Sequence, residues 1–163
     1  MVSQVCYDTC AAVAPRRVAV LWPAKTSAAT GGHRQAAEDS VQATVMIVED
    51  DAATRRLYRF LLTNSGYTVV EAEDGVMAME RLEATPCELV ITDMNMPRMN
   101  GMELTRAIRQ RDPDIHIIMV TAFGTPDTEK QAYRAGVNDY LTKPFDFEEL
   151  EERVRKFFTS RST

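Results

Sequence analysis

Five short apolar runs, at residues 44–48, 67–71, 88–92, 115–120 and 137–141, recur between segments of helical period. This alternation limits the fold more than any other feature. Leu89, Val90 and Ile91 are apolar at consecutive positions, the pattern of a strand buried on both faces. Helices are predicted at about 52–65, from Asp74-Gly75 onward, and at 102–111, 126–135 and 147–158. Capping chemistry marks their ends. Asp51 and Asp146 are placed to cap the first and fifth, and Gly66 and Gly136 follow the first and fourth. Thr125-Pro126 is a cap followed by a first-turn proline, and Asp112-Pro113 closes the third helix. Leu57, Phe60 and Leu61 are expected to face inward from the first helix, and Val76, Met79 and Leu82 from the second. Five β–α repeats joined by right-handed crossovers make a parallel sheet covered by helices on both sides.

In such a sheet, ligands bind beyond the carboxyl ends of the strands, where strand order reverses. Four segments bring chemistry to those ends: Val48-Glu49-Asp50-Asp51, Ile91-Thr92-Asp93-Met94-Asn95-Met96-Pro97, Val120-Thr121-Ala122 and Lys143-Pro144-Phe145. They supply clustered carboxylates, one further carboxylate, a hydroxyl and an ammonium. Each alone is weak evidence. Collected in one crevice, they are the parts of a phosphoryl-transfer site.

The charge balance agrees. Of the 163 residues, 19 are Lys or Arg and 24 Asp or Glu, for a net charge of −5. Residues 1–43 hold four of the basic and three of the acidic groups, so the acidity belongs to residues 44–163. This argues against nucleic-acid binding through a broad basic surface and suits a cation in an acidic pocket. Three cysteines without a secretion signal favour a reducing compartment, so a cytoplasmic location is expected. Cys6 and Cys10 read as free thiols, and Cys87, just before a strand, as buried rather than reactive. His33 and His116 stand apart from any set of metal ligands. No apolar run reaches the length of a membrane span. Residues 1–43, ten of them Ala, show no sustained period and are expected to form a disordered extension or linker before a domain at 44–160. The run at 18–22 is the one stretch there suited to adding an edge strand.

Glu73-Asp74-Gly75, Asp93-Met94-Asn95-Met96-Pro97 and Ala135-Gly136, together with the acidic cluster, Thr121 and Lys143-Pro144, carry a family resemblance. From Thr44 to about Phe158 the chain resembles a receiver domain of the two-component response regulators, above all the chemotaxis single-domain type. The resemblance implies a flavodoxin-like doubly wound sheet of order 2-1-3-4-5 with five helices. It implies a phosphorylation-activated switch in which Asp93 accepts a phosphoryl group from a sensor histidine kinase or phosphotransfer protein. Beyond its own phosphotransfer and slow autodephosphorylation, such a domain is not an enzyme.

The family's acidic pair falls on Glu49 and Asp50, leaving Asp51 as a helix cap. Carboxylates crowded against Asp93 resist ionising together, and a divalent cation removes that conflict. Hard oxygen ligands favour Mg²⁺ or Mn²⁺. By resemblance, Asp50 and Asp93 bind the metal directly, Glu49 acts mainly through water, and Asn95 offers its main-chain carbonyl. Thr121 and Lys143 bond phosphoryl oxygens, Ala122 leaves room for the group, and a cis Lys143–Pro144 bond aims the lysine inward. Tyr140 matches the switch aromatic. Asn95 and Phe123 flank the pocket, at positions that tune how fast the phosphoryl group is lost. Met94, Met96, Met99 and Met102 read as packing residues.

With only five residues after Phe158, no output domain is expected to follow. Output would pass through helix four, strand five and helix five to a downstream protein, or through a phosphorylation-dependent dimer. Two other readings compete. A Mg²⁺-dependent aspartate phosphatase carries Asp-x-Asp, but Asn95 stands where the second Asp would be. A pseudo-receiver, docking without phosphorylation, lacks one or more key residues, all of which are present here.

Overall fold

The computed structural model describes residues 43–161. The expected extension with its run at 18–22, Cys6, Cys10 and His33 lie outside them. Within the described residues, strands β1 (Thr44–Val48), β2 (Thr68–Ala72), β3 (Leu89–Asp93), β4 (His116–Thr121) and β5 (Asp139–Thr142) alternate with five helices. These are α1 (Ala52–Asn64), α2 (Gly75–Ala84), α3 (Gly101–Arg111), α4 (Pro126–Ala135) and α5 (Phe147–Arg161). The strands pair in parallel in the order β2-β1-β3-β4-β5, the doubly wound arrangement expected.

Alternate strand residues feed two cores. Met46, Val48, Val90, Ile117 and Met119 meet Ala78, Leu104, Ile108 and Ala132 on the face covered by α2, α3 and α4. Val45, Ile47, Leu89, Ile91, Ile118 and Val120 meet Tyr58, Leu62, Leu150 and Val154 on the face covered by α1 and α5. Burial on both faces is why the strands are apolar at consecutive positions. Each large side chain so buried contributes about 1.5–3 kcal/mol before entropy is counted.

The predicted caps form at α1, α2 and α4. Asp51 Oδ2 accepts from Thr54 N at 2.7 Å, and Asp74 Oδ1 from Val76 N and Met77 N at 2.8 and 3.0 Å. Thr125 and Thr128 close a capping box with Pro126 at the first turn, and Gly136 ends α4 at φ +106°. Asp146 differs from expectation. It meets α5 through its main-chain carbonyl, which accepts from Glu149 N at 2.9 Å.

Two further corrections bear on the site. Strands β2, β3 and β4 begin and end one residue later than their apolar runs, and β5 starts two later and ends one later. Apolar runs report burial, whereas the hydrogen-bond ladder continues into the polar residues at the carboxyl edge. Asp93 and Thr121 are therefore the last residues of their strands and share the sheet's rigidity. On α1, Tyr58 and Leu62 point into the core, while Leu57 and Phe60 are exposed. The apolar triple 57, 60 and 61 fits a helical stripe, but the rotation of α1 is set by packing. Tyr58 tilts against Phe145 at 6.4 Å, and Leu62 lies among the α5 side chains. On α2, Val76, Met79 and Leu82 are half-buried, and Gly75 and Ala78 make the close contact.

Candidate functional site

The register delivers the functional residues along one edge of the sheet. Val48 pairs with Thr92, Asp93 with Val120, and Thr121 with Thr142. Glu49, Asp93, Thr121 and Lys143 consequently follow one another across β1, β3, β4 and the turn after β5. Glu49, Asp93 and Thr121 are buried, and Asp50 is exposed at the mouth.

Lys143 organises the crevice. Its Nζ lies 2.9 Å from Glu49 Oε2 and 3.0 Å from Asp93 Oδ1. Its main-chain N–H donates to Thr121 O at 2.7 Å, and the Lys143–Pro144 bond is cis, as expected. Partial burial works against the ammonium, but the hydrogen bonds it donates to Glu49 and Asp93 outweigh that and hold the lysine above its usual range. The pairing therefore stabilises the fold throughout the neutral range. The lysine's contribution is lost as pH climbs beyond its ordinary value of 10.5 towards the higher native one, and the pairing also weakens on the acid side as Glu49 takes up its proton. Glu49 is shifted upward, first by burial and then by the Asp93 charge, against the pull of Lys143.

The other Asp93 oxygen, Oδ2, accepts from Asn95 N at 2.6 Å, which fixes the carboxylate's rotation. Thr121 Oγ1 accepts from Phe123 N at 3.1 Å, and its own proton has no acceptor among the described residues. Ala122 is exposed at the rim, and Phe123 is 72% exposed. Tyr140 is buried among the core residues on the α3–α4 side, its hydroxyl 3.3 Å from Thr128 Oγ1 of α4. Tyr140, the aromatic that the family resemblance singles out, thus points inward and ties β5 to α4. Met94, Met96, Met99 and Met102 are half-buried against the same core, in keeping with a packing role.

Two residues that sequence pattern does not flag hold the site in shape. Arg55 Nη1 donates to Glu49 O at 2.5 Å and Asp50 O at 3.3 Å, bracing the acidic loop from α1. Gly101 N–H donates to Met94 O at 3.0 Å, and a Cβ on Gly101 would collide with the Asp93 carbonyl oxygen. The Arg55-Arg56 pair and the glycine eight residues after Asp93 are visible in the sequence. Their contacts depend on the loops.

Among the described residues, no group of three or more Asp, Glu, His or Cys side chains closes on one point as a ready metal site. The Lys143 ammonium instead compensates Glu49 and Asp93. The donor set nevertheless suits a hard divalent cation. It consists of carboxylate oxygens, and the Asp50 carboxylate makes no hydrogen bond or ion pair among the described residues, Arg55 reaching only its main-chain oxygen.

Cys87 is buried, donates to Leu89 O at 2.9 Å, and has its thiol pushed up to about 12 by burial, so it is unreactive as expected. His116 is less isolated than its sequence position suggests. Its Nε2 lies 2.9 Å from Asp139 Oδ2, and its ring stacks on Phe157 at 4.4 Å. It borders a cavity of about 540 Å³ beside α5, at the opposite end of β4 from Thr121 and so away from the Lys143 crevice.

Residues 45–155 match the response regulator receiver domain. The chain belongs to that family. Chemotaxis protein CheY of Pseudomonas aeruginosa is 38% identical over 117 residues, covering 70% of this receiver chain and 94% of CheY. CheY1 of Helicobacter pylori is 40% identical over 114 residues, covering 68% and 92%. Response regulator MprA of Mycobacterium ulcerans is 38% identical over 111 residues, but the match spans only 48% of MprA. Among solved structures, CheY4 of Vibrio cholerae superposes with a TM-score of 0.68 at 29% identity, covering 71% of this chain and 98% of that one. TrrA of Thermotoga maritima, in complex with Mg²⁺ and BeF, gives 0.65 at 30% identity, with the same coverage. As a receiver, the protein acts in phosphorylation-dependent signalling, between histidine kinases and downstream targets. No helix among the described residues is long and apolar enough to cross a membrane.

Proposed function

We propose that this receiver is a cytoplasmic switch in which Asp93 takes a phosphoryl group from the phosphohistidine of a sensor kinase or phosphotransfer protein. The observation that carries this reading is the Lys143 ammonium held between Glu49 and Asp93 at the strand ends. An Asp93 carboxylate oxygen attacks phosphorus and forms the P–O bond of an acyl phosphate. The P–N bond breaks, and its electron pair stays with the donor imidazole. Lys143 then follows the new charge from the carboxylate to a phosphoryl oxygen, and Thr121 donates its uncommitted proton to another. Asp50 and Asp93, with the Asn95 carbonyl and with Glu49 through water, would hold Mg²⁺ or Mn²⁺, which when bound neutralises phosphoryl charge. Asn95 offers no general acid or base, so the acyl phosphate outlasts that of an aspartate phosphatase and the domain signals instead of turning over.

The test is intact-mass spectrometry after treatment with acetyl phosphate and Mg²⁺. One added phosphoryl group, about 80 Da, absent when EDTA withholds the Mg²⁺, is the expected result. No gain from acetyl phosphate or from a histidine kinase rejects the reading in favour of a pseudo-receiver.

The output surface proposed is α4, β5 and α5, because Tyr140 and Thr128 couple β5 to α4 close to Thr121. Its partner would be a downstream protein or a second copy of the chain. Beryllofluoride with Mg²⁺ is expected to shift amide signals from residue 126 to residue 140. Shifts confined to the crevice would reject this surface.

Burial of Glu49 adds a pH dependence. A carboxyl raised above the ordinary 4.5 takes up its proton earlier as pH falls. Mg²⁺ affinity is thus expected to decline on acidification before exposed glutamates titrate, and Glu49→Gln should flatten that part of the profile. Calorimetric Mg²⁺ titrations at stepped pH check this, and identical profiles for both proteins would refute it.

A further inference from the structure

The segment joining β3 to α3 carries Asp93 and Asn95 and then makes an unusual turn. Arg98 is its middle residue, with φ +64°, and Met99 N–H donates to Pro97 O at 2.7 Å across it. This is a three-residue turn in the left-handed region, sparsely populated and strained for a long side chain. Among the described residues, Arg98 is the one non-glycine with positive φ. Such strain persists where neighbouring structure imposes it.

The imposing structure is the loop between β2 and α2. Arg98 Nη2 lies 3.0 Å from Glu73 Oε1 and also pairs with Asp74 Oδ2. Asp74 is fully buried, and its Oδ1 is already committed to capping α2. Its Oδ2 accepts no hydrogen bond of ordinary geometry and instead meets the Arg98 guanidinium. Beside this pair, Gly75 N–H donates to Met99 O at 3.2 Å. The Met99 side chain fills the place a Cβ on Gly75 would take, 2.6 Å from its Cγ. The two loops are zipped together at Arg98 and Met99. The ends of the phosphoacceptor segment are tied separately, at Met94 to Val120 and at Gly101 to Met94.

We propose that Arg98 is a positioning residue for the phosphoacceptor loop. By clamping the apex onto Glu73 and Asp74, it holds the Asn95 peptide at a fixed height over Asp93, where the amide orients the carboxylate and the carbonyl is presented to a divalent cation. The proposal rests on the metal-dependent phosphoacceptor reading above. It assigns a task to Glu73 and Asp74 that neither touches the phosphoryl group nor binds the metal.

The test compares wild type with Arg98→Ala, Arg98→Gly and Arg98→Lys. Mg²⁺ affinity is measured by calorimetry, phosphoryl uptake from acetyl phosphate by mass, and the melting point without metal. Arg98→Gly relieves the backbone strain while deleting the clamp, so it separates the two. Both Arg98→Ala and Arg98→Gly are expected to lose roughly 10-fold in Mg²⁺ affinity, the lower end for a residue that acts through a metal ligand, and to take up phosphoryl groups correspondingly slowly at subsaturating Mg²⁺. Saturating Mg²⁺ should restore most of the rate, and Arg98→Lys should recover part of the affinity. Wild-type affinity in Arg98→Gly would overturn the proposal, as would a lower melting point in both variants with metal affinity unchanged. If wild type itself neither binds Mg²⁺ nor takes the label, the phosphoacceptor reading fails, independently of Arg98.

Discussion

Asp93→Asn is expected to abolish phosphoryl uptake from acetyl phosphate while leaving the fold intact. The carboxamide keeps an oxygen for Asn95 N–H and fills the same volume, but it lacks the anionic oxygen that attacks phosphorus. Lys143 retains Glu49 at 2.9 Å, so its ammonium is not left unpaired in the crevice. The amide nitrogen would replace the oxygen 3.0 Å from Lys143 Nζ and set donor against donor. Losing one of two carboxylates eases the repulsion with Glu49, so the two effects oppose and the melting point should change little. The measurement is intact mass beside a thermal melt. Wild-type label in the folded variant would move the acceptor to another side chain, with Asp50 the first to examine.

Gly101→Ala should damage both the fold and the site. A methyl group there would meet the main-chain carbonyl of Asp93, which cannot rotate aside as a flexible side chain would. Either α3 moves away, opening the packing of Leu104 and Ile108, or the end of β3 shifts and carries Asp93 with it. Overpacking of this kind typically costs about 1–3 kcal/mol, and a rigid backbone target belongs at the upper end. For a domain of this size, that lowers the melting point by roughly 5–15 °C. Phosphoryl uptake by the remaining folded protein should also slow, because the nucleophile is displaced. Unchanged stability together with unchanged uptake would show that the loop yields without cost.

These expectations draw on different levels of legibility. The β–α alternation was plain because strands buried on two faces must be apolar at consecutive positions, and the helix punctuation was equally local. Asp51, Asp74, Thr125 and Gly136 each act within a few residues of themselves. The candidate site was legible for a related reason. In a parallel sheet every strand runs the same way, so any polar residue closing an apolar run reaches the same edge. Glu49, Asp93 and Thr121 needed no coordinates to be placed together.

The rotation of α1 was not legible, because two apolar stripes are available on it and the contact of Tyr58 with Phe145 decides between them. The clamp at Arg98 was not legible either, since 25 residues separate it from Glu73 and nothing periodic links them. The sequence alone determined the architecture, the family and the inventory of reacting groups, because each follows from short-range pattern and strand direction. The tertiary structure alone decided how those groups are held. It placed Lys143 between two carboxylates, turned Tyr140 inward, forbade a side chain at Gly101 and bent Arg98 into a strained turn. These depend on loops whose shapes arise from contacts between distant segments, where close packing and charge pairing, not local propensity, choose the conformation.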